Sequence, residues 1–218
     1  MFSHKSSPTT PVDSRIRIPQ HYRQQPIISR LISRYGVTVN IKAAMLAADE
    51  NYGWFDLELQ GNSENICNSL LYLQNLGVDL IELGIAGNVQ HKLSYQEFPD
   101  SPSQINQQQS SPFTLTTGTP VYQSYGDYIG QSHRLRLQLC ILKDYYQTPV
   151  IFELVSRFSI TVNIIAASLS ANQQNDGWFD LDLWGKPQQL FACFNYLREL
   201  NLPLWLDASS LHGDIIWI

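Results

Sequence analysis

The stretch Gly53-Trp54-Phe55-Asp56-Leu57-Glu58-Leu59 occurs twice, returning as Gly177-Trp178-Phe179-Asp180-Leu181-Asp182-Leu183. In each copy Phe, Leu and Leu alternate with Trp and two acids, the period of a half-buried strand. Phe55, Leu57 and Leu59 are therefore expected to face a core, with Trp54, Asp56 and Glu58 on the other side. The flanks repeat as well. Pro26, Ile27, Ile28, Leu31, Ile32 and Tyr35 follow helical spacing behind an N-terminal proline, and return as Pro149, Val150, Ile151, Leu154, Val155 and Phe158. A chain of 218 residues with 44% hydrophobic content can bury one large core or two small ones, and the repeat favours two.

Each copy reads strand, helix, strand, strand, helix, strand. Arg15-Ile16-Arg17-Ile18 alternates as a first strand, with Arg134-Leu135-Arg136-Leu137 as its counterpart. Gly36 ends the first helix, and Val37-Thr38-Val39-Asn40-Ile41 follows, matched by Ile160-Thr161-Val162-Asn163-Ile164. After the Gly-Trp-Phe strand, a second helix carries Ile66, Leu70, Leu73 and Leu76, or Leu190, Phe194, Leu197 and Leu200. It ends at Gly77 or Asn201, both tolerant of a left-handed cap. Val78 to Leu83 and Leu202 to Leu206 are fourth strands. Pro203 places the latter at an edge or at its own start.

This order predicts an α+β protein of two βαββαβ units, each a four-stranded antiparallel sheet with two helices on one face. Strands one and three are expected side by side in the middle and parallel, with Arg15 and Arg17 beside Asp56 and Glu58. Arg134 and Arg136 are likewise expected beside Asp180 and Asp182. The expected boundaries are a disordered tail over 1–13, unit one over 14–83, a flexible linker rich in Gln, Ser and Pro over 84–132, unit two over 133–207 and an apolar extension over 208–218. The extension ends in Ile215-Ile216-Trp217-Ile218 and is expected to add a strand or cover the sheet. Two such units are expected to associate within the chain.

Charge and residue usage remove several classes of function. A net charge of -5 disfavours nucleic acid and anionic membrane, which need a concentrated basic face. RNA-recognition modules share this strand order, but the first strand here offers Arg where they place aromatics. No segment approaches transmembrane length and the N-terminus carries no signal-like apolar run, so a cytoplasmic protein is expected. Cys67, Cys140 and Cys193 are scattered, which indicates neither disulfides nor a metal site but buried thiols. No phosphate-binding GxxxxGK[ST] loop is present. His4, His21, His91, His133 and His212 do not recur at matched spacing, and carboxylates beside arginines stay ionised and make poor general acids. No catalytic residue, metal or cofactor is expected.

The run from Pro26 to Asn40-Ile41, followed by a Gly-aromatic-acidic-Leu strand, resembles the NIL domain, and so does Pro149 to Asn163-Ile164. The third residue of the eponymous Asn-Ile-Leu differs, being Lys42 in one copy and Ile165 in the other. The resemblance implies a ferredoxin-like module akin to ACT domains, found at the C-terminus of methionine-importer ATPases and in stand-alone cyanobacterial proteins. It further implies a non-enzymatic regulator that binds a small ligand, an amino acid such as methionine, between two units and signals to a protein partner. The candidate ligand residues are Asn40 and Asn163, whose amides both donate and accept, their neighbours Thr38 and Thr161, and Trp54 and Trp178 as apolar walls. The competing reading is a ligand-free scaffold that uses the outer sheet faces and the linker.

Overall fold

A computed structural model describes residues 11–47, 50–85, 133–172 and 175–206. The expectations for the tail up to residue 10, for the linker beyond residue 85 and for the apolar extension lie outside the described residues. The first unit comprises β1 (Val12–Pro19), α1 (Ile27–Tyr35), β2 (Thr38–Leu46), β3 (Tyr52–Gln60), α2 (Ser63–Asn75) and β4 (Asp79–Ile85). The second repeats it as β5 (His133–Ile141), α3 (Val150–Phe158), β6 (Thr161–Leu169), β7 (Gly177–Gly185), α4 (Pro187–Glu199) and β8 (Leu204–Leu206). Both units are ferredoxin-like. The first strand begins inside the stretch read as tail, because Asp13 pairs across to Glu58 and takes the Lys42 ammonium at 3.0 Å.

The eight strands form one sheet in the order β4-β1-β3-β2-β6-β7-β5-β8. β1 and β3 are central neighbours but antiparallel, correcting the parallel arrangement expected. The helical crossover returns β2 parallel to β1, and the hairpin then reverses the chain, so β3 opposes both. The apparent twin of Arg15 is also corrected. Arg15 opposes Asp56 in the first unit, and the residue opposing Asp180 in the second is Gln138. Arg134 and Arg136 lie further toward the start of their strand, where they continue the same alternation and mimic the pattern.

The units are joined where β2 meets β6, through the pairs Ala44 with Leu169, Met45 with Ser168 and Leu46 with Ala167. Beyond this seam the two edges diverge, and the first helix of each unit packs on the partner strand, α1 on β6 and α3 on β2. On one side the strand backbone left unpaired by the divergence is satisfied by a buried side chain. Ser29 Oγ donates to the Val162 carbonyl and accepts from its N–H, both at 2.8 Å, which blunts an edge that could otherwise recruit another strand. One continuous hydrophobic core runs through both units, with Phe55, Leu59, Phe179 and Leu183 fully buried.

The repeated glycine of the Gly-Trp-Phe motif has a steric cause. A Cβ at Gly53 or Gly177 would lie 2.2 Å from the Cδ1 of Leu46 or Leu169, the core residue that ends the preceding strand. Helix ends also repeat. Gly77 and Asn201 follow α2 and α4 with φ of 75° and 53°, the left-handed conformation that glycine and asparagine adopt most readily. β8 lies at the edge, and its preceding Pro203 offers only a carbonyl, which accepts from Cys140 N–H at 2.9 Å.

Candidate functional site

Divergence of β2 and β6 from the seam leaves two related clefts between the units. One is lined by Ile18, Arg23, Leu46 and Phe55 from the first unit and Val162 and Asn163 from the second. The other is lined by Ile141, Tyr146, Leu169 and Phe179 from the second unit and Val39 and Asn40 from the first. Each is shallow, enclosing about 20 Å³, room for about one water molecule, so a larger ligand needs the units to part further there.

Asn40 and Asn163 reach across the interface. Asn40 Nδ2 donates to the Tyr146 carbonyl at 3.2 Å, and Asn163 Nδ2 donates to the Arg23 carbonyl at 3.1 Å. Both asparagines are buried. In sequence they looked like outward residues of a strand. In the structure each spans a cleft, tying the strand of one unit to the turn between the first strand and helix of the other.

The other four candidates do not line either cleft. Thr38 and Thr161 are half-buried at the starts of β2 and β6, opposite Gln60 and Trp184. Trp54 and Trp178 stand on the sheet face away from the helices. There they share one cross-strand row, Trp54 to Met45, Met45 to Ser168, and Ser168 to Trp178. The Arg15 guanidinium lies 5.3 Å from the Trp54 ring, and Trp178 packs on Trp205 at 5.2 Å.

Arg23 and Tyr146 were not anticipated. They hold corresponding places in the turns before α1 and α3, and each ties down the loop between the second and third strands of its own unit. The Arg23 guanidinium donates to the carbonyls of Ala47 and Glu50, and the Tyr146 hydroxyl donates to the carbonyl of Asn175. The recurring Tyr22-Arg23 and Tyr145-Tyr146, each ending three residues before the helix proline, was the available signal.

Charges on the open face pair differently from expectation. Arg15 holds Asp56 at 2.6 Å, but Arg17 reaches Asp79 of β4 instead of Glu58. In the second unit Arg134 and Arg136 both fork onto Asp182 at 2.7–3.1 Å, and Asp180 instead accepts from Gln138 Nε2 at 3.0 Å. Of the thiols, Cys140 and Cys193 are buried, and burial pushes them up to about 11 and about 12. Cys67 is exposed, contrary to the buried thiol expected.

Burial also pushes the Asp180 carboxyl above its ordinary 3.8, against the lowering effects of the Gln138 hydrogen bond and of Arg136; Asp182 adds to the rise. A raised carboxyl contributes stability that is complete below the unfolded value and is lost as pH rises through the folded one. Asp180→Asn keeps an acceptor for Gln138. It is expected to stabilise the protein at neutral pH and to change little near pH 3, as read by urea unfolding at both; a loss of stability at neutral pH would contradict this account.

Comparison with known proteins places the chain. An uncharacterized protein of Synechocystis sp. is 42% identical over 81 residues, 37% of this chain and 84% of the relative. One from Synechococcus elongatus is 34% identical over 76 residues, 35% of this chain and 94% of the relative. Among solved structures, the C-terminal domain of an ABC transporter ATP-binding protein from Enterococcus faecalis aligns at 20% identity and a TM-score of 0.32, covering 35% of this chain and 87% of that one. The NIL domain model matches twice, over residues 13–81 and 135–205. The chain therefore belongs to the NIL domain family and carries the domain in two tandem copies.

Proposed function

We propose that this protein is a non-enzymatic, cytoplasmic regulator that binds a small amino acid of methionine's kind in the clefts between its two NIL units and passes the bound state to a protein partner. The observation that carries this reading is the pair of asparagines crossing the interface. A ligand in either cleft touches both units, so occupancy alters how well they fit together. An amino acid's carboxylate can replace the carbonyl to which the asparagine Nδ2 now donates, and its ammonium can donate to the asparagine Oδ1, while Phe55 or Phe179 and Leu46 or Leu169 supply an apolar floor for its side chain.

The test is thermal unfolding against a panel of amino acids and sulfur metabolites. A ligand at 100 times its dissociation constant stabilises the native state by about 2.7 kcal/mol, a shift of several degrees. Methionine or a relative is expected to give that shift selectively, and Asn40→Ala with Asn163→Ala together are expected to abolish it while a cooperative transition is kept. A flat panel would overturn the reading.

A second reading has its own observation. All four helices lie on one side of the sheet, and the other side presents Trp54, Met45, Trp178 and Trp205, of which Met45 is 36% and Trp205 48% exposed among the described residues. An aromatic strip of this kind suits a protein partner. A scaffold binds no amino acid, and its partner binding depends on Trp54 and Trp178.

A further inference from the structure

The two clefts share a floor and differ in charge. Ile18, Leu46, Phe55 and Asn163 in one correspond to Ile141, Leu169, Phe179 and Asn40 in the other. Arg23 lines the first, where the second has Tyr146. The difference extends to the surroundings. Arg30 of α1 donates to Gln25, a lining residue of the first cleft, at 2.9 Å. The corresponding position of α3 holds Glu153, and Thr148 stands where Gln25 does.

The residue before the repeated glycine is Tyr52 in the first unit and Asp176 in the second. Burial raises the Tyr146 and Cys140 groups, and the charge of nearby Asp176 adds to the rise in both. Tyr146 is buried and its single hydroxyl proton goes to the Asn175 carbonyl, whereas the Arg23 guanidinium, which also donates to the Ala47 and Glu50 carbonyls, carries five N–H groups. Among the described residues, none lining this second cleft is basic. Glu50, in the loop that Arg23 holds, and Asp176 are both exposed, where water and salt screen their carboxylates, so the difference between the clefts rests on Arg23.

We infer that the clefts are not equivalent: the Asn163 cleft accepts a ligand through its carboxylate, held by Arg23 with the Asn163 and Gln25 amides, and the Asn40 cleft does not. The chain therefore binds one such ligand, and its second cleft acts as a fixed joint between the units. The inference rests on the ligand-binding reading above and adds the head-group chemistry and the stoichiometry. A guanidinium gives a carboxylate charge-assisted, fork-shaped hydrogen bonds. In the other cleft the same carboxylate meets a neutral phenol in place of a guanidinium.

Isothermal titration of the full chain with L-methionine and L-methioninamide tests this. One molecule of L-methionine per chain is expected, with L-methioninamide weaker by roughly tenfold or more, as is usual on losing a charge-assisted hydrogen bond. Arg23→Tyr, which imports the residue found at the related position, is expected to lose binding to a similar degree with its melting transition retained. Tyr146→Arg leaves the wild-type site in place and is expected to keep it at full affinity. Two equal sites in the wild type, equal affinity for the amide, or unchanged binding by Arg23→Tyr would overturn the inference while leaving the ligand reading standing. Absence of any L-methionine binding would overturn both. If Arg23→Tyr fails to fold, the wild-type stoichiometry and the amide comparison decide alone.

Discussion

Replacing Asp182 with alanine is expected to lower the unfolding free energy by about 3 kcal/mol, near the bottom of the range for breaking a buried ion pair. Asp182 is 2% exposed and is the shared acceptor of two guanidinium forks. Its loss leaves Arg134 and Arg136 facing each other across two positions of one strand without their common counter-charge. Both arginines keep some access to water, with side chains 30% and 17% exposed, which holds the cost at the low end. Asp56→Ala in the first unit is expected to cost less, even though that carboxylate also pairs with an arginine. Asp56 and Arg15 are 21% and 25% exposed, and a single pair of that kind contributes about 1 kcal/mol or less. Urea unfolding of the two variants side by side is the check. Equal effects would show that the double fork adds nothing.

Phe179→Ala is expected to cost about 3–5 kcal/mol, the usual loss for truncating a fully buried aromatic residue. Phe179 is 1% exposed, lies opposite Leu139 and Ala167, and forms part of the floor of the Asn40 cleft. Its ring thus supports the second unit's own core and the interface together. Because one core runs through both units, the loss is expected to lower a single cooperative transition. An early transition confined to half the chain, seen by calorimetry, would contradict the shared core.

The elements were legible because the chain states each of them twice. Alternation in the Gly-Trp-Phe strands and helical spacing after Pro26 and Pro149 recur with conservative changes, and two independent copies of one periodic signal leave little room for another assignment. Register was less legible. Arg134-Leu135-Arg136-Leu137 copies the look of Arg15-Ile16-Arg17-Ile18, yet hydrogen bonding with β7 sets Gln138 opposite Asp180. Alternation identifies the faces of a strand, and only its neighbour determines which residue meets which.

The seam was not legible at all. Ala44-Met45-Leu46 and Ala167-Ser168-Leu169 join through backbone groups that every residue carries, so no side-chain pattern announces the pairing. That is also why Asn40 and Asn163 could be singled out but not placed. Their strands were readable, whereas their hydrogen-bond partners, the Tyr146 and Arg23 carbonyls, belong to the other unit. Arg23 and Ser29 escaped for the same reason. Each lies in an ordinary turn or helix of its own unit and acquires its role only when the units meet.

Everything proposed for the clefts depends on the two units forming one body through the β2–β6 seam, the helices packed across it and the common core. The most direct measurement replaces Gln107-Gln108-Gln109 with a protease site, cuts the chain there and passes the product over a sizing column. The units are expected to elute together at the position of the uncut protein. Elution as two separate half-sized species would contradict the shared sheet and, with it, a ligand site between the units.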